Sequence, residues 1–195
     1  AMRNFANKIW NASRFVMMNL TIDKCELPAA DALAPEDKWV LSKLNTLVKE
    51  VTENLDAYEI GVASAKVYDF LWDTYCDWYI ELTKTRLQGE DEGAKLAAQN
   101  VLCFVLTELL KLLHPFMPFI TEEIYQALPH EEQFIMTSRW PEYRADLAFP
   151  EEEAAMEAVM DTIKAIRARR AEMNVPPSRK AEVLIVTATP DVYAQ

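Results

Sequence analysis

A run of arginine, lysine and asparagine near the start of the chain offers the most defined chemistry. With Arg3 set at the origin and each residue stepped by about 100°, Arg14 falls at about 20°, Asn7 at about 40°, Asn11 at about 80°, Asn4 at about 100° and Lys8 at about 140°. All six polar side chains share one side of a helix. Phe15, at about 120°, lands among them rather than with Phe5, Ile9, Ala12 and Val16, which cluster at about 180° to 240°. Cations pair with phosphates, carboxamides hydrogen-bond to base edges and an exposed ring stacks on a splayed base, the set used on single-stranded RNA. Three asparagines also lower helix propensity without an evident structural reward. The pattern alone leaves a plainly solvated polar face open as the other reading.

Other candidates carry less. Asp69, Asp73 and Asp77 repeat every four residues and would share one helical face, where a divalent cation could bind. No further oxygen ligands are placed nearby, so an acidic, solvated stripe opposite an aromatic core is the favoured reading. His114, flanked by prolines and phenylalanines, fits a residue that satisfies a turn better than a general base. Arg167, Arg169 and Arg170 form a second basic cluster, but within four residues of one helix they point in several directions. No serine, cysteine or histidine sits in a nucleophile pattern, so neither catalytic nor metal-ligating residues are expected.

Composition narrows the field further. The chain has 195 residues and 3 glycines, against about 14 for an ordinary protein. Gly61, Gly89 and Gly93 cannot form a glycine-rich phosphate loop or a dinucleotide fingerprint. The net charge of -11 argues against nucleic acid until its distribution is read. Residues 1–24 hold four basic residues against one acid, and residues 161–180 hold six against two, so both basic segments flank a strongly acidic body. Cys25, Cys76 and Cys103 are widely spaced and suggest reduced thiols in the cytosol rather than a disulfide framework. The longest unbroken apolar run is Val101–Leu106, far short of a membrane span.

The elements that must position these residues are helices. Periodicity predicts helices over 3–20, from Pro35 to Leu55, from Tyr58 to Gln88, from Ala94 to Leu113, through Leu128, and from Glu151 to Met173. The third carries six aromatics and the fourth is apolar nearly all round, which makes it the central helix. Residues 129–150 read as extended, proline-marked loop around Ser138-Arg139-Trp140-Pro141. Ala181–Thr189 is the one strand signal. The opening Ala1-Met2 reads as a cloning remnant, and both ends suggest a piece of something larger.

These segments carry a resemblance. Residues 3–15, Arg-Asn-Phe-Ala-Asn-Lys-Ile-Trp-Asn-Ala-Ser-Arg-Phe, resemble the opening helix of the anticodon-binding domain of the valyl-tRNA synthetases. His114-Pro115-Phe116-Met117-Pro118-Phe119-Ile120-Thr121-Glu122-Glu123 is similar to a signature shared by the valyl, leucyl and isoleucyl enzymes. Asp77-Trp78-Tyr79-Ile80-Glu81 and the segment from Ile166 to Ser178 resemble the valyl branch in particular. The resemblance implies a mainly α fold: an antiparallel helical bundle of the class I synthetase anticodon-binding type over 1–145, and a linker, helix and strand over 146–195 leading toward a C-terminal arm. It implies that the parent protein is an ATP-dependent, magnesium-using valine–tRNA ligase that also edits, and that this segment lacks the catalytic and editing domains and holds no cofactor itself. The implied partners are the tRNA anticodon loop and the parent's own catalytic and editing domains, in a cytoplasmic monomer without membrane contact. Arg3, Lys8 and Arg14 would meet phosphates, Asn4, Asn7 and Asn11 base edges, and Phe15 a stacked base, with Arg167, Arg169 and Arg170 as a second contact. The alternatives are the same domain of an isoleucyl or leucyl enzyme, or an acidic helical scaffold that binds protein.

Overall fold

A computed structural model describes residues 2–176, 178–180, 182 and 184. They form two compact units, Ala1–Phe149 and Pro150–Gln195. The first unit contains α1 (Met2–Asn19), α2 (Pro35–Asp56), α3 (Ile60–Asp69), a π-helical segment (Phe70–Tyr79), α4 (Ile80–Leu87), α5 (Glu92–Leu113) and α6 (Pro118–Ala127), with short 3-10 turns at Ala30–Ala32, Ile135–Thr137 and Ala145–Leu147. The second contains α7 (Pro150–Glu172). The strand expected at Ala181–Thr189 lies, apart from Glu182 and Leu184, outside the described residues.

Local chemistry sets the helix limits. Pro35 opens α2 with its φ already helical, and Glu36 and Asp37 fill the first turn where the dipole favours carboxylates. Asp91 caps α5 by accepting from the Ala94 N–H at 3.0 Å, so that helix starts two residues before the expected Ala94. α5 is long and apolar enough by composition to cross a membrane, yet most of its apolar window is buried within the bundle. Val101, Leu102, Leu106, Leu109, Leu110 and Leu112 are fully enclosed, which makes it the central helix.

The segment from 60 to 87 is one continuous helix whose winding changes midway. Its buried file runs from Ala63 and Val67 through Leu71, Tyr75 and Tyr79 to Thr83 and Leu87, strictly every fourth residue. In an α-helix a four-residue step overshoots a turn by about 40°, so six steps would carry the file most of the way round the axis. The wider i→i+5 winding of the π segment offsets that drift and keeps the file against the core. The same geometry aligns Asp69, Asp73, Asp77 and Glu81 as an exposed acidic file.

Polar side chains on the core helices satisfy the backbone of the loops that cross them. The Gln99 carboxamide oxygen accepts from the Thr21 N–H at 3.1 Å, and Asn100 Oδ1 accepts from the Glu26 N–H at 2.8 Å. Asn45 both donates to and accepts from the Arg144 backbone at 2.7 Å, Ser42 Oγ accepts from the Phe149 N–H, and Trp140 Nε1 donates to Thr52. These bonds hold the proline-rich segment along α2 with only two short 3-10 turns of its own. At the α5–α6 turn the Thr121 hydroxyl donates to the Met117 carbonyl, so His114 Nδ1, at 2.7 Å, is the donor to that oxygen.

Left-handed backbone occurs, among the described residues, at Tyr58 (φ 60°) and Asn174 (φ 52°), and at no glycine. Asn174 terminates α7, where its N–H and that of Val175 return to the Ala171 and Arg170 carbonyls.

Candidate nucleic-acid interface

α1 presents its apolar stripe inward and its polar stripe outward. Phe5, Ile9 and Val16 are enclosed, and Ser13, which falls beside them, folds its hydroxyl onto the Ile9 carbonyl at 2.8 Å. Arg3, Asn4, Asn7, Asn11 and Arg14 are exposed. Among the described residues none of these five side chains has a hydrogen-bond or ion-pair partner. Their polar groups face solvent along one side of the helix.

Lys8 and Phe15 are placed differently. Both are half-buried at the edge of the stripe that faces the π segment and α4. Lys8 Nζ pairs with Asp77 Oδ1 and sits 4.5 Å from the centre of the Trp72 ring. The Phe15 ring has Lys84 Nζ at 5.7 Å, and Lys84 is itself held by Glu81 at 2.6 Å. Beneath them Phe5, Tyr68 and Trp72 form a stacked column with centroid separations of 4.4 and 5.7 Å. Phe5 meets Tyr68, Lys8 meets Trp72 and Phe15 meets Lys84, so α1 and the helix beside it run in the same sense. Arg3 and Arg14 remain as the unpaired cations of the stripe.

The structure adds residues that sequence reasoning passed over. Trp10 is 41% exposed and Met18 78% exposed on the polar side. The helical wheel could have found both, since Trp10 falls at about 340° and Met18 at about 60°, on either side of Arg3 and Arg14. Asp77, Glu81 and Lys84 could not be found that way, because their approach to α1 is tertiary.

On α7 the three arginines differ. Arg169 is exposed and pairs with Glu172 at 2.8 Å. Arg170 donates to the Pro176 and Arg179 carbonyls at 2.7 and 2.6 Å, securing the turn after the helix. Arg167 is exposed. No cluster of histidine, cysteine, aspartate and glutamate among the described residues could hold a metal ion.

Comparison with known proteins places the chain in a family. Residues 37–185 match the family model described as the anticodon-binding domain of tRNA ligase. The chain is 56% identical over 190 residues to a valine–tRNA ligase of Clostridium acetobutylicum, covering 96% of this chain and 21% of the relative. It is 52% identical over 186 residues to that of Carboxydothermus hydrogenoformans (95% and 21%) and 47% identical over 193 residues to that of Bacillus cereus (98% and 22%). The chain therefore spans about a fifth of the length of these curated relatives. A helical bundle whose family-model match covers most of its length, and whose relatives share about half its residues, belongs to the anticodon-binding domain family of the tRNA ligases.

Proposed function

We propose that this chain is the anticodon-recognising module of a valine–tRNA ligase and that α1 is its reading surface. The observation that carries the proposal is the stripe on α1: two unpaired arginines, three unpaired asparagines and exposed or half-exposed aromatic rings, on a protein whose net charge is -11. The acidic body repels phosphate outside the two basic segments and so confines the RNA to them. Arg3 and Arg14 contact phosphates, Asn4, Asn7 and Asn11 reach base edges, and Phe15 stacks on an unstacked base. Arg167 and Arg169 make a second contact from α7, while Arg170 keeps the turn at its end. Adenylate chemistry, with ATP and magnesium, and editing reside in other domains of the full-length protein, in the cytoplasm.

Aminoacylation by the full-length protein tests this. Replacing Asn7 with alanine is expected to lower kcat/KM for the matching tRNA by about 1 to 3 kcal/mol of recognition and to relax selectivity among anticodon variants. Arg14→Ala is expected to weaken all tRNAs alike. Unchanged kinetics on every substrate for both variants would refute the assignment of α1.

A further inference from the structure

The cations around α1 fall into two kinds. Arg3 and Arg14 are exposed and unpaired, whereas Lys8 and Lys84 are each held by a carboxylate of the neighbouring helix, Asp77 and Glu81. A free cation displaces counterions when it meets a phosphate and adds to the salt dependence of binding; a cation already paired adds little. The Lys8 ammonium has three donors. One is taken by Asp77 Oδ1, the ring of Trp72 lies against another side, and the remainder faces outward from a side chain that is 28% exposed. Asp77 is 48% exposed, and among the described residues its Oδ2 accepts no hydrogen bond. A donor and an acceptor thus stand side by side, about two helical turns from Phe15 along the same edge of α1.

We infer that the helix spanning 70–87 forms the second wall of the anticodon site, and that Asp77 is a specificity-determining residue that converts Lys8 from a phosphate anchor into a directed donor. The inference rests on the proposed reading of α1. A carboxylate oxygen accepts from an exocyclic amino group, and the adjacent ammonium donates to the ring nitrogen beside it, so the pair suits a base carrying an amino group next to a ring acceptor, adenine or cytosine. A base with a carbonyl at that position would bring two acceptors together and leave Asp77 unpaired. The order of donor and acceptor is fixed because Trp72 restrains the lysine and the π winding keeps Asp77 in line with the acidic file. π-helical turns occur frequently at functional sites.

The test is the salt dependence of binding between the full-length protein and tRNA transcripts with matching and altered anticodons, for Arg14→Ala, Lys8→Ala, Asp77→Asn and Asp77→Glu. Arg14→Ala is expected to lower the slope of log K against log salt by about 0.7, one single-stranded phosphate contact. Lys8→Ala should leave the slope unchanged and reduce discrimination between matching and altered anticodons roughly tenfold or more. Asp77→Asn should steepen the slope by about 0.7 as Lys8 becomes free, strengthen binding of altered anticodons and narrow discrimination. Asp77→Glu, which keeps the pair, should restore part of the discrimination. A Lys8→Ala slope change equal to that of Arg14→Ala, with Asp77→Asn silent, would overturn the role of Asp77 while leaving the reading of α1 intact. No effect from any variant, Arg14→Ala included, would remove that reading and this inference together.

Discussion

Replacing Arg86 with methionine is expected to be the most damaging single change near the interface. Asp37 is fully buried and accepts four hydrogen bonds: from Arg86 Nη1 and Nη2 at 2.8 and 2.5 Å, from the Tyr79 hydroxyl at 2.7 Å and from the Ala34 N–H at 3.1 Å. Arg86 also faces Glu36 at 3.0 Å. Burial opposes the guanidinium charge, but the hydrogen bonds to Asp37 and the charges of Asp37 and Glu36 outweigh it and hold the group firmly protonated. Methionine fills much of the volume and removes both charge-assisted bonds, leaving a buried carboxylate with a hydroxyl and an amide. Breaking a buried pair in this way costs about 3 to 5 kcal/mol. For a chain of this size that lowers Tm by roughly 6 to 20 °C. Equilibrium urea unfolding followed by circular dichroism measures it, with the midpoint falling and the slope unchanged. Asp37→Asn should cost less, about 1 to 3 kcal/mol, because Arg86 keeps Glu36 and reaches water. The double variant Asp37→Asn/Arg86→Met leaves no fully buried charge and only the part-exposed Glu36 without its cation, so it should be more stable than the sum of the single losses predicts, by about 0.5 to 3 kcal/mol. A loss below about 1 kcal/mol for Arg86→Met, or strictly additive losses, would refute the reasoning that charge burial dominates here.

Three further outcomes follow from other buried or strained positions. Tyr75 and Tyr79 are fully buried, and burial first, then nearby negative charge, raises their ionisation well above the ordinary 10.0. The folded state keeps these protons where the unfolded chain releases them, so stability is whole below about pH 10 and falls above it by about 1.4 kcal/mol per pH unit for each tyrosine; Tyr75→Phe should flatten the alkaline slope in urea titrations by one such share. Burial, with a smaller contribution from Asp77, pushes the Cys76 thiol up to about 12, so its reaction with a disulfide reagent at pH 8 should be roughly a thousandfold slower in the folded protein than in urea. Tyr58 holds a φ of 60° with an 88% exposed side chain, and Tyr58→Asn should raise stability by about 0.5 to 1 kcal/mol in the same unfolding assay.

Much of the candidate interface was legible in the sequence because it lies on one helix. A single helix turns its residues at a fixed angle, so the spacing of Arg3, Asn7, Asn11 and Arg14 alone placed them on one side, and Pro35, the 89–93 turn and Pro118 marked the helices that support it. The four-residue repeat from Ala63 to Leu87 was also present in the sequence, yet a propensity reading takes any such run as α-helix; the π winding follows only once all seven positions must face one core. Scarce glycine excluded a phosphate loop, but not that Tyr58 and Asn174 would take the left-handed positions.

What tertiary structure alone decided is the state of each cation. A helical wheel puts Arg3, Lys8 and Arg14 on the polar side, with Lys8 nearest the apolar stripe, but it cannot say which of them is paired, because a wheel contains no neighbour. Asp77 lies 69 residues from Lys8, and only the docking of the 60–87 helix beside α1 brings its carboxylate to that lysine while leaving the two arginines unpaired. Intrinsic periodicity fixes where a side chain points, and packing between helices fixes whether its charge is already spoken for.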